Sequence, residues 1–223
     1  SDPDPSAAWH LSNTLAVPMA AAHLGEPARR EIFSGDLRRP FCVSNSPAGT
    51  ATPDPSGGHR LDGDWPFVTG VLEAQWTVLA AQLPPRQPPD AAGPPRVGLF
   101  LTRTANLQIH STWPAAAAMR GTGSNAVSAH ELLVADDLAT SWWAPLDLDR
   151  PLYRISVPAM AFISTAAVAL GVLSACLAAT IDLVGDRVSR ADGLAYADKP
   201  RFQEAIAESE AALRALRAGY HGA

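Results

Sequence analysis

Cysteine, paired histidine and clustered positive charge are all scarce in this chain, and each scarcity narrows its chemistry. Two cysteines in 223 residues, Cys42 and Cys176, supply neither a disulfide framework nor a zinc pattern. The six histidines are dispersed, with no HxH or HxxxH pair, so no metal site is expected. No run of basic residues exists, and a formal charge of -5 argues against a nucleic-acid-binding surface. The chain opens SDPDPS, acidic and proline-rich, the reverse of the basic start of a secretory signal, so a cytoplasmic location is expected. Leucine-rich apolar runs are missing as well. The uncharged stretch 155–181, ISVPAMAFISTAAVALGVLSACLAATI, is long enough to span a bilayer. It is built largely from Ala, Ser, Thr and Gly, however, and lacks aromatic belts and flanking basic clusters. The expectation is a helix buried among other helices with Cys176 inert inside it, and no membrane partner.

What is present falls into three textures. Residues 6 to 33 place Ala7, Ala8, Leu11, Leu15, then Ala28, Ile32 and Phe33 near helical spacing. Pro18 and the GEP at 25–27 are expected to split them into two short helices. Residues 40 to 140 are short apolar or alternating runs bounded by Gly, Pro, Asn and Asp, such as PFCVSNS, HRLDGDWPFVTG, AQWTVLAAQL and RVGLFLTR. Six prolines between Pro84 and Pro95 mark a long loop between two of these strands. Parallel βαβ units need helices between strands, and no helical pattern intervenes, so the sheet is expected to be mainly antiparallel. Beyond Pro158 the pattern is helical again. A long apolar helix runs to about Val188, SRADGLAYADKP breaks it, and a second helix carries Phe202, Ile206, Leu213 and Leu216 on one stripe. The expected organisation is therefore 1–35 helical, 36–140 an antiparallel β-domain and 141–223 the first helices of a bundle that these two cannot complete.

The segment LDGDWPFVTG, residues 61–70, sharpens the question of function. Trp65, Phe67 and Thr69 occupy consecutive odd positions, which share one face of a regular strand. That face is either a core face or a wall that receives a flat aromatic ligand.

Four strings together, AAWHLSN, FCVSNSPAGTA, LDGDWPFVTG and MRGTGSNAVSAHELLVAD, make the chain resemble the acyl-CoA dehydrogenase superfamily. It is most similar to the flavin-dependent monooxygenase branch. The resemblance covers nearly the whole chain and implies an acyl-CoA dehydrogenase-like α+β fold with FAD or FMN as cofactor. On it, Val43 and Ser44 open the flavin-contacting strand-loop, where Ser44 would bond the pyrimidine edge of the isoalloxazine. A hydroxyl with exposed backbone groups can match that edge's acceptors and N–H. Gly49 and Thr50 would serve the phosphate end, Gly49 by letting the backbone come close. Phe67 would lie against the ring, with Val68 beside it. Thr69 and its backbone would approach the reactive N5, which makes Thr69 the catalytic candidate. Gly70 fits the monooxygenase pattern better than the Asn common in dehydrogenases. The RGTGS string, with Arg120, Thr122 and Ser124, reads equally as a structural turn or as the loop shaping the flavin's surroundings.

One departure bears on the reaction. A dehydrogenase needs a carboxylate base to take the substrate's α-proton. Where some members place it, before an LG pair, this chain has Ala161 and Phe162. The reading that follows is the oxygenase component of a two-component monooxygenase, using reduced flavin and dioxygen on a small organic substrate. Its partners would be a flavin reductase and further copies of itself, as a dimer or tetramer. The alternatives are an acyl-CoA dehydrogenase-like desaturase and a shortened non-catalytic subunit.

Overall fold

Pro5 starts the first helix, α1 (Pro5–Ala21), where a missing backbone N–H is tolerated. The computed structural model describes residues 4–35, 39–85, 96–116, 118–141, 144, 150–155 and 157–222. The proline-rich loop falls outside the described residues from 86 to 95. Pro18 does not end α1 as expected. It lies within the last turn, where its carbonyl still accepts a bond from the Ala22 N–H at 3.1 Å. The break comes instead before α2 (Glu26–Phe33), whose Pro27 suits a first turn.

Among the described residues, strands β1 (Phe41–Pro53), β2 (His59–Val68), β3 (Trp76–Gln82), β4 (Val97–Arg103), β5 (Gln108–His110), β6 (Asn125–Val134) and β7 (Ala139–Thr140) form one sheet in the order β5-β6-β2-β1-β3-β4-β7. All neighbouring pairs are antiparallel except β1 with β3. That parallel pair needs no helical crossover. β2 folds back along one edge of β1, and the chain then passes to the other edge to begin β3.

β3 reads WTVLAAQ, apolar without alternation, because both its faces are covered. Trp76, Val78 and Ala80 meet Val17, Leu24 and Ile32 of the helical layer. Leu79 and Ala81 face a second core containing Leu61, Trp65, Phe100 and Val127. Cys42 lies in this second core, where burial pushes its thiol up to about 12, which makes it unreactive.

The chain divides into two compact units, residues 6–161 and residues 162–223 together with 1–5. The second contains most of α3 (Val157–Gly185) and α4 (Pro200–Gly222). Their connector is closed by a bridge between Val188 and Ala195, with Gly193 at φ 72°. Along α4 the inward stripe is Phe202, Ile206 and Leu213, whereas Leu216, expected on it, is exposed. α3 ends at Gly185, slightly earlier than expected, and its burial is corrected too. The stretch Ala159–Gly185 has the length and composition to cross a membrane, and none of its most apolar window is buried. Cys176 is exposed rather than enclosed. The reason is that α3 and α4 offer each other only one face, so the rest of an all-round apolar helix remains open.

Candidate functional site

β1 and β2 pair from Gly49↔Gly63 to Pro53↔His59, and no pairing between them is recorded on the other side of Gly49. The sheet therefore splits at that glycine pair. One lip of the split is residues 44–48 of β1, the other the end of β2 and the turn after it. The first lip is a bulge, because β1 meets β3 at Ser44↔Leu79 and then only at Gly49↔Ala81. Residues 45–48 are thereby pushed out of the ladder, and their side chains are exposed.

The bulge leaves the carbonyl of Ala80 without its neighbour on β1. Trp65 fills the gap, its Nε1–H donating to Ala80 O at 2.7 Å. Trp65 is fully buried in the core and does not share a ligand wall with Phe67. Gly49 is where the indole packs. A Cβ there would overlap the Trp65 ring and lie 2.9 Å from Asp62 O. Across the pair, Gly63 (φ 154°) sits where a Cβ would meet Gly49 Cα at 2.5 Å. The missing side chain of Gly49 thus lets the indole and the neighbouring strand come close.

The second lip departs from regular alternation. The β2–β6 register shifts between Trp65 and Val68, and Phe67 adopts φ 59°, in the left-handed region. The three odd-numbered residues therefore go to three places. Trp65 is inside the core, Phe67 is 72% exposed, and Thr69 is buried at 2% exposure. Phe67 packs edge-on against Trp113, with ring centroids 6.2 Å apart. Strain of this kind persists where surrounding structure enforces it, and it clusters at ligand sites.

Ser44 is 4% exposed, and its hydroxyl has no hydrogen-bond partner among the described residues. Val43 points to the opposite face, into the helical-layer core. Thr50 is exposed, its hydroxyl only loosely held by Asp62 O at 3.5 Å. Val68 is fully buried in the core. Of the residues expected at a ligand, the structure thus gathers Ser44, Phe67 and Thr69 around the split. Thr50 lies just past its closed end, and Val43, Gly49 and Val68 serve packing.

Other contributors were not assigned roles from sequence. Trp9 of α1 donates from Nε1 to Thr69 Oγ1 at 3.1 Å. His10 lies over Gly70 (φ 74°), where any Cβ would overlap the imidazole. Asn125 Oδ1 accepts from the backbone N–H of Thr112 and of Trp113, at 3.1 and 3.0 Å, which orients the Trp113 ring. No sequence signal joins positions 9, 69 and 113. Only the packing of α1 over the end of β2, and of the Trp113 loop beside it, does so. Arg120 opens the short turn that ends at Thr122, and Thr122 with Ser124 just beyond it supplies two further hydroxyls, both on buried residues. Among the described residues no cluster of metal-ligating side chains occurs.

Comparison with known proteins bears on the fold that carries these residues. Residues 163–223 match the family model for the acyl-CoA dehydrogenase C-terminal domain. The indole-3-acetate monooxygenase of Pseudomonas putida is 28% identical over 226 residues, covering 99% of this chain and 55% of that protein. The oxygenase component of the FADH(2)-dependent resorcinol hydroxylase of Rhizobium sp. is 28% identical over 224 residues, covering 94% and 53%. The chain thus spans about half the length of the curated relatives it matches. Among solved structures, XiaF from Streptomyces sp., in complex with FADH2 and glycerol, superposes with a TM-score of 0.77 at 26% identity, over 94% of this chain and 54% of that one. The HsaA monooxygenase of M. tuberculosis shares the fold with a TM-score of 0.76 at 24% identity, over 98% and 57%.

Proposed function

From the acyl-CoA dehydrogenase-like fold of this chain, we propose that it belongs to the oxygenase component of a two-component flavin-dependent monooxygenase. The observation that carries the reading is the split in the sheet. Ser44, a buried residue whose hydroxyl has no partner among the described residues, and an exposed, strained Phe67 stand on its opposite lips, and the backbone between Ser44 and Gly49 is out of the ladder.

These residues fit a flavin. The pyrimidine edge carries carbonyls and an N–H, and Ser44 can donate to one or accept from the other. The bulged backbone of residues 45–48 adds further polar groups at the same lip. Phe67 offers an apolar face to a flat ring, and Trp113 braces it from the side. Thr50, exposed and only loosely held by Asp62 O, can meet the polar chain of the cofactor. Bound reduced flavin would supply the electrons that activate dioxygen for transfer to the substrate. The chain's own task is to hold the ring, fix its orientation and keep water from it. Indole-3-acetate and resorcinol in the relatives' names support a small aromatic substrate, and FADH2 and FMN in the structural neighbours support either flavin. A reductase would deliver the reduced cofactor. The segments 1–35, 36–140 and 141–223 are read as the end of an N-terminal helical domain, the central sheet and the start of a C-terminal bundle, in a cytoplasmic homo-oligomer.

The test is anaerobic titration of purified protein with reduced and oxidised FAD and FMN, followed by hydrogen exchange. Reduced flavin is expected to bind more tightly and to slow exchange in residues 44–50 and 67–70. Phe67→Ala, at a position 72% exposed, is expected to weaken that binding severalfold while changing stability by less than about 0.5 kcal/mol. Absence of binding in both redox states, or protection confined to other segments, overturns the site. Bleaching of bound oxidised flavin by an acyl thioester would favour a desaturase.

A further inference from the structure

Beneath the split, four side chains form a hydrogen-bonded chain that has only one consistent direction. Thr122 Oγ1 donates to the Met119 carbonyl at 2.9 Å. A hydroxyl has one proton, so Thr122 can only accept from Ser124 Oγ, 2.7 Å away. Ser124, having donated there, can only accept from Thr69 Oγ1 at 2.9 Å. The Trp9 indole N–H, which can only donate, completes the series at Thr69 Oγ1. Thr69, Ser124 and Thr122 are each no more than 4% exposed, so water does not compete for these bonds. Aligned bonds of this kind polarise one another. The single proton of Thr69 is therefore committed to Ser124, and towards anything else the oxygen has only a lone pair to offer.

Resting on the flavin site proposed above, we propose that Ser124 and Thr122 are positioning residues that hold Thr69 as a hydrogen-bond acceptor and so set the redox preference of the site. The reactive nitrogen of reduced flavin carries a hydrogen, which an acceptor receives. The same nitrogen in oxidised flavin carries only a lone pair, which an acceptor repels. The turn supplying the two hydroxyls is itself fixed. Met119 (φ 52°) and Gly123 (φ 52°) bracket it in the left-handed region, and the Met119 carbonyl also receives the Trp113 indole N–H at 3.3 Å. The same anchor thus orients the Thr69 proton and braces the ring beside Phe67.

The experiment breaks the chain at two points and preserves it at a third. Ser124→Ala removes the acceptor of the Thr69 proton, and Thr122→Val removes the acceptor of the Ser124 proton at similar volume. In both, Thr69 regains the freedom to donate, and the ratio of oxidised-flavin to reduced-flavin Kd is expected to fall by about fivefold. Thr122→Ser keeps every hydroxyl and is expected to retain the wild-type ratio. A readout without cofactor is the exchange rate of the Trp9 indole N–H by NMR, faster in the two breaking variants and unchanged in Thr122→Ser. An unchanged ratio in both breaking variants, or two affinities falling in parallel with Tm, overturns the proposal alone and marks the hydroxyls as structural. Failure of the wild-type protein to bind flavin in either state overturns the site and this proposal with it.

Discussion

At the scale of single residues, the decisive side chain is Trp65, because its size dictates what its neighbours can be. Its indole occupies the space above Gly49 and satisfies the Ala80 carbonyl left by the β1 bulge. Gly49→Ala would drive a methyl group into that ring and against Asp62 O, neither of which is the end of a flexible side chain. Overpacking of this kind costs about 1–3 kcal/mol, and urea unfolding of the variant is expected to show a loss in that range. A loss near zero would mean that the indole is not seated as described. The same residue shows why the sequence misled at this point. Alternation placed Trp65, Phe67 and Thr69 on one face, and a strand without the register shift would have kept them there. The shift between Trp65 and Val68 has no signature in LDGDWPFVTG beyond its proline and glycines.

At the scale of elements, the connector between α3 and α4 carries a charged lock beside its backbone bridge. Asp192 accepts from Lys199 Nζ at 2.7 Å and from the Leu194 N–H at 3.2 Å. The hydrogen bond from Lys199, then those from Ser189 and Leu194, hold its carboxyl down at about 2 against an ordinary value of 3.8. A folded-state value below the unfolded one stabilises the connector above pH 3.8, and that contribution is lost as pH falls through about 2. An NMR titration of the Asp192 carboxyl should have its midpoint near 2, with exchange of the Leu194 N–H accelerating as it protonates. A midpoint at 3.8 or above would remove Asp192 from the connector's support. The helices themselves were legible from periodicity, but this lock was not, since AYADK gives no sign that Lys199 reaches back to Asp192.

At the scale of the whole molecule, α3 leaves large side chains in contact with water, Phe162 at 76% and Leu173 at 50% exposure among them. Exposed apolar surface along so long a helix favours association. Sedimentation velocity is expected to show the protein as a concentration-dependent oligomer, and Phe162→Asp is expected to shift it towards smaller species. Circular dichroism of the sheet should not change. A wild-type protein that stays monomeric at every concentration would refute association through this face. Recovery only in the presence of detergent would point to a lipid contact instead.

The sequence by itself determined whatever depends on local chemistry and regular repeats. Helical and strand textures, the absence of α-helices between the strands among the described residues, the turn at Gly70 and the scarcity of metal ligands all follow from composition and spacing. The four collinear strings carry the family resemblance on their own. Tertiary structure decided the rest, because it alone brings distant positions together. It placed Trp9 on Thr69 across 60 residues, and Thr69 on Ser124 across 55. It opened the sheet beside Ser44 and gave the Thr69 proton its single direction. A hydroxyl in a sequence has no orientation. It acquires one only when a neighbouring element supplies the acceptor.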